Sequence, residues 1–141
     1  MNKTTSEESE EKTYRTHSAC LRIFGNIPDL DEITQRLGVV PSYSHRQGNR
    51  RGPKSQPYPH DMWSYTVPID NTKPLHVHIE ALWGTFRERK EYLLRLKHDL
   101  TVDVFATYSS NCDQGGLDFP AQSLQIFTEL QIPLGISIIV L

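Results

Sequence analysis

Thr16-His17-Ser18-Ala19-Cys20-Leu21-Arg22-Ile23-Phe24 is the stretch that decides the fold class. Ala19, Leu21 and Ile23 point to one side of an extended chain; Ser18, Cys20, Arg22 and Phe24 point to the other. Alternation with a period of two marks a strand with one buried face. Two further segments repeat the pattern. Residues 62–69 put Trp63, Tyr65, Val67 and Ile69 on one face, and Pro68 near the end assigns the strand to an edge or a terminus. Residues 100–109 put Val102, Val104, Ala106 and Tyr108 on one face. Strands of a wholly parallel sheet are apolar on both faces. These three are not, so they argue for a mainly antiparallel sheet covered on one side.

Helical patterns separate the strands. Asp29 caps the first, and Glu32 three residues on completes a capping box. Leu30, Ile33 and Leu37 form its buried stripe; Gly38 stops it and Pro41 prevents continuation. Asn71 and Thr72 open the next, with Pro74 in its first turn. Leu75, Ile79, Leu82, Trp83 and Phe86 keep helical spacing. Gly84-Thr85 interrupts, and Thr85 with Glu88 forms a second capping box. A kink or two helices are expected there, the second part carrying Tyr92, Leu93 and Leu96. Residues 116–119 read as a short strand. Pro120 opens the last helix, with Leu124, Phe127 and Leu130 inward, and Pro133 ends it. Residues 134–141 are apolar on both faces, which at an exposed edge would invite aggregation. The expectation is a strand in the middle of the sheet.

The element order predicts an α+β two-layer sandwich: a mainly antiparallel four- to five-stranded sheet with helices on one face. From residue 62 onward the order is that of a ferredoxin-like βαββαβ unit, preceded by an extra β-α.

At 141 residues the chain fits one domain with a hydrophobic core of its own. Residues 1–13 carry Glu7, Glu8, Glu10 and Glu11 with no apolar residue after Met1, so they read as a disordered acidic tail ahead of a domain at 14–141. The net charge is -2, and Lys3 and Lys12 leave that excess within the tail. The remaining domain is neutral, which gives no general electrostatic case for nucleic acid. Cys20 and Cys112 lack CxxC spacing, which suits a reducing compartment. No apolar run has membrane length, so a cytoplasmic protein with no membrane contact is expected.

The candidate for function is the polar stretch between the first helix and the second strand. Structureless loops of about 20 residues are uncommon in compact domains and are usually functional or disordered. Residues 42–60 hold Tyr43, His45, Arg46, Gly48, Arg50, Arg51 and Lys54, followed by Trp63. Arginine's planar fork suits phosphate and carboxylate, and Gly48 and Gly52 allow close backbone approach. Against this stands a plain solvated loop. Trp63 and Tyr65 read first as core aromatics, and second as a pocket wall at the loop's base.

The other constellations are weaker. No GxxxxGK[ST] or GxGxxG is present, and no cofactor is implied. His76 and His78 sit two apart and face different ways on a helix, while His76 and Glu80 make an ordinary i,i+4 contact. No metal-ligand spacing and no catalytic set stands out. Arg22, Phe24, Thr66 and Phe105 share the polar sheet face; that resembles a stacking platform for single strands, but Asp103 adds opposing charge and a protein contact fits better.

Several short motifs together resemble a bacterial family, domain of unknown function 4279. They are Leu21-Arg22-Ile23-Phe24-Gly25, Asp31-Glu32-Ile33-Thr34 with Leu37-Gly38, Pro41-Ser42 with Gly48, Met62-Trp63-Ser64, the stretch 87–93, and 124–130 before a closing strand. The resemblance spans residue 17 to the end. The loop is more basic and proline-rich than the family pattern, and Phe119 precedes Pro120 where a small capping residue is usual. The resemblance implies an α+β domain and carries over no catalytic residue. The favoured reading is a non-catalytic binding or regulatory module with a protein partner. Nucleic-acid binding through the loop arginines, and an enzyme acting on a small anion, are the alternatives.

Overall fold

The computed structural model describes residues 12–141. All but the last two residues of the acidic tail lie outside them. Among the described residues, five strands form one sheet: β1 (Arg15–Gly25), β2 (Tyr43–His45), β3 (Asp61–Thr66), β4 (Thr101–Ser110) and β5 (Leu134–Val140). Four helices accompany it: α1 (Leu30–Leu37), α2 (Leu75–Phe86), α3 (Lys90–Leu96) and α4 (Gln125–Leu130). Short 3-10 turns precede α3 and α4.

The sheet order is β2-β3-β1-β4-β5. The pairings β2/β3, β3/β1 and β1/β4 are antiparallel, and β4/β5 is parallel. The alternating stretch around Leu21 is the central strand. Its register sets the two faces. Ala19, Leu21 and Ile23 lie opposite Ala106, Val104 and Val102. All six are buried, together with Trp63, under Ile33, Leu37, Ile79, Leu82, Phe86, Leu93, Ile126 and Leu130 of the helices. On the other face Arg22 lies opposite both Ser64 and Asp103, and Phe24 opposite Met62. The α+β architecture and the mostly antiparallel sheet are as expected.

Local chemistry explains the helix ends. The Asp29 carboxylate accepts hydrogen bonds from the Asp31 and Glu32 amides at 3.0 and 3.4 Å. Gly38 closes α1 in the left-handed region at φ 74°, which glycine adopts without a Cβ penalty.

Five expectations change. β5 lies at an edge, not in the middle, because β1 already pairs along both sides with β3 and β4. Only its first half packs on the core; Ile138, Ile139 and Val140 are exposed. No strand forms at 116–119, so the ferredoxin-like unit lacks one of its strands. Gly115 lies against the Tyr108 hydroxyl, where a Cβ would collide, and residues 113–119 run as a largely exposed loop. The expected division into two helices is present, α2 ending at Phe86 and α3 starting at Lys90, but the break falls after Gly84-Thr85: α2 passes through Gly84, and Thr85 donates to the Ala81 carbonyl at 2.8 Å rather than capping α3. In α4 Ile126, not Leu124, faces inward with Leu130. Finally, the presumed structureless loop contains β2.

Candidate functional site

β2 forms because Tyr43, Ser44 and His45 find partners in Ser64, Trp63 and Met62 of β3. Ser42 reinforces it by donating its amide to the Ser64 carbonyl at 2.8 Å. Residues paired directly across a sheet share a face. Tyr43 and His45 therefore stand on the same face as Ser64 and Met62, away from the helices.

The chain then folds back on itself. Gly48 takes φ 85°, a left-handed conformation that suits glycine. Its amide donates to the Tyr58 carbonyl at 3.0 Å, and the Tyr58 amide donates to the Asn49 carbonyl at 2.8 Å. That ladder brings Tyr58 over β2. Its ring stacks on His45 with centroids 3.6 Å apart and planes 6° from parallel. The Tyr43 hydroxyl lies 2.9 Å from the Tyr58 hydroxyl and 3.0 Å from His45 Nδ1. The hydrogen bond to Tyr58 holds the Tyr43 phenol above its ordinary pKa. Burial lowers that of His45, so the imidazole is neutral at pH 7.

A buried carboxylate fixes the base of the loop. Asp61 is 5% exposed. It accepts hydrogen bonds from the Ile27 amide at 2.8 Å and the Gln47 amide at 2.7 Å. The Gln47 amide first, then that of Ile27 and the Arg46 guanidinium, hold its pKa below the usual carboxylate value against the opposing effect of burial. Arg46 Nη1 lies 3.5 Å from Asp61 Oδ2 and donates to the Ile27 carbonyl at 2.6 Å.

The result is a concavity of about 640 Å³ lined by Tyr43, Ser44, His45, Asn49, Arg50, Arg51 and Tyr58. Four of the eight residues singled out from sequence meet here: Tyr43, His45, Arg50 and Arg51. Gly48 makes the turn beside them, and Lys54 is exposed outside the lining. Arg46 is committed to Ile27 and Asp61. Trp63 is fully buried on the helical side, where its indole N–H donates to Thr34 Oγ1 at 3.0 Å. Core packing, its first reading, is where it sits. Asn49 and Asp61 had no sequence signal; Tyr58 was visible only as an aromatic among basic residues. Arg50, Arg51 and Lys54 make no ion pair among the described residues.

The outer sheet face continues from this concavity. The Phe24 and His60 rings lie 5.0 Å apart. Arg22 sits over Phe105 at 4.5 Å and Phe24 at 5.4 Å, while its guanidinium grips Asp103 with two bonds of 2.8 and 2.6 Å. Such a pair is neutral overall. Cys20 and Cys112 are both free thiols, and burial pushes the Cys20 thiol up, away from thiolate chemistry. His76 Nδ1 lies 3.5 Å from Glu80 Oε2, the expected helix-surface contact. Among the described residues no group of three His, Cys, Asp or Glu is placed to hold a metal ion. No helix there is long and apolar enough to cross a membrane.

Comparison with curated proteins gives no match, and comparison with solved structures gives none. The family described as domain of unknown function (DUF4279) matches residues 12–141, from the start of β1 through the loop, the concavity and β5. The chain belongs to that family.

Proposed function

We propose that the protein is a non-catalytic binding module that docks an acidic protein partner on the concavity of loop 42–60 and the adjoining sheet face. The observation that carries this reading is the pairing of two exposed arginines, free of acidic partners among the described residues, with a pre-stacked aromatic wall. Tyrosine and arginine are the residue types that dominate binding energy at protein interfaces. Because Asp61 and the Gly48–Tyr58 ladder already order the loop, docking has less conformational entropy to overcome.

Two features weigh against nucleic acid. Arg22 is neutralised by Asp103, and Arg46 is engaged by Asp61 and the Ile27 carbonyl. Two exposed arginines and Lys54 make a small phosphate footprint, and affinity for a nucleic acid rests chiefly on phosphate neutralisation. The two free thiols fit the reducing conditions of a cytoplasmic location.

The test is capture from the protein's own host lysate, with and without nuclease, beside Arg50→Ala/Arg51→Ala. A defined protein that survives nuclease and is lost with the double variant supports the reading. Nucleic acid as the retained species, or capture indifferent to the double variant, overturns it.

A further inference from the structure

A second cavity, of about 670 Å³, lies at the opposite end of β1 from the loop. Its lining includes Arg15, His17, Thr72, Pro74, His76 and Asp118. α2 begins in its wall. Pro74 stands at the cap position and no side chain caps this 12-residue helix; the Val77 amide turns back to the Pro74 carbonyl at 3.0 Å, which leaves the Leu75 and His76 N–H groups without an intrahelical or side-chain partner. They carry the positive end of the helix dipole.

Behind that wall are buried polar groups in want of partners. The Tyr108 ring meets His17 edge-on at 5.3 Å, and the His78 ring lies 6.5 Å from His17. Tyr108 is 6% exposed and His78 1%. The Tyr108 hydroxyl and His17 Nδ1 are buried with no hydrogen-bond partner among the described residues. The hydroxyl-bearing ring faces an adjoining cavity of about 330 Å³, which shares Cys112, Gly116 and Leu117 with the first. Buried polar atoms are nearly always satisfied, so unpartnered ones beside a cavity point to something that fills it. The local potential has a sign. Burial lowers the pKa of both His17 and His78, so the standing charge of this wall is that of Arg15, whose guanidinium also donates to the Gln114 carbonyl at 3.4 Å. That charge and the positive end of the α2 dipole both attract an anion. Asp118 is the only acid in the lining and is exposed, where solvent screens it.

We propose that this cavity binds a compact oxyanion, the phosphate or carboxylate group of a small molecule, between Arg15, His17 and the start of α2. The Tyr108 hydroxyl contacts the remainder of the ligand through the adjoining cavity.

Histidine ring resonances read the site directly in the full chain. Inorganic phosphate and acetate are titrated separately at constant pH and ionic strength. The expected result is a saturable shift of the His17 ring with at least one of them, the stronger naming the ligand's headgroup. Arg15→Gln should weaken that anion about tenfold or more, the loss of a charge-assisted contact. Gly116→Leu should hinder entry: Gly116 lines both cavities, and a Cβ there meets nothing within 4 Å, so the larger side chain is accepted without a clash at its base. Arg50→Ala/Arg51→Ala should leave the shift intact. No saturable shift with either anion, undiminished binding in both Arg15→Gln and Gly116→Leu, or a shift lost with the loop arginines would each overturn the assignment.

Discussion

Asp61→Asn tests whether one buried carboxylate organises the candidate site. Asp61 accepts two backbone N–H groups, from Ile27 and Gln47, one on each oxygen. Asparagine keeps one carbonyl oxygen and replaces the other with a donor, so one amide faces an N–H group. The lost charge-assisted bond and the stranded donor together amount to about 2–4 kcal/mol. For a chain of this size that lowers the unfolding midpoint by roughly 8–15 °C. The pH dependence gives a second check. Asp61 has its folded pKa depressed below the ordinary 3.8. Its stabilisation is therefore fully present above about pH 4 and is lost as the pH falls through the lower folded value. Denaturant unfolding of wild type and Asp61→Asn should differ fully at pH 7 and converge in acid. Amide exchange at Gln47 and Tyr58 should accelerate in the variant at pH 7. Equal stability at pH 7, or a gap that persists unchanged well below pH 4, would refute the role given to Asp61.

Gly38→Ala should destabilise by about 1 kcal/mol in chemical unfolding, since φ 74° is unfavourable for alanine; an unchanged midpoint would contradict the left-handed cap. His17 and His78 both have pKa values lowered from 6.5, burial being the larger cause in each. Their neutral forms support the fold above the unfolded value, and that support is lost as pH falls below it. Stability should therefore decline from about pH 6.5 to 5, and His78→Met should flatten that decline; an identical slope in the variant would contradict it. Ile138→Lys, on the exposed half of β5, should leave the unfolding free energy within about 0.5 kcal/mol and reduce light scattering on heating. Scattering equal to wild type would show that this edge is not the aggregation route.

Much of the fold was legible in the sequence because periodicity and capping are local signals. The alternation around Leu21 and Val104 is the alternation of a half-buried strand, and Asp29 and Gly38 bracket α1 with their own backbone chemistry. Strand order is not local. Residues 134–141 have the composition of a central strand, but their place is set by β1 pairing on both sides, which no periodicity records. The site was half legible for the same reason. Arginines at 50 and 51 announce themselves by type. The side chain of Arg46 looks identical in sequence, yet its partner, the Ile27 carbonyl, is 19 residues away. Tyr58 joins Tyr43 across 15 residues through the Gly48 turn. Asp61 carries no sequence signal, because the Ile27 and Gln47 amides that it holds are 34 and 14 residues away.

The most direct test of the binding-module account is calorimetric titration of the captured protein partner against wild type and Arg50→Ala/Arg51→Ala. The account predicts at least a tenfold loss of affinity in the double variant, as expected for arginines central to an interface, with the unfolding midpoint unchanged. Equal affinity of the two proteins for that partner would contradict it.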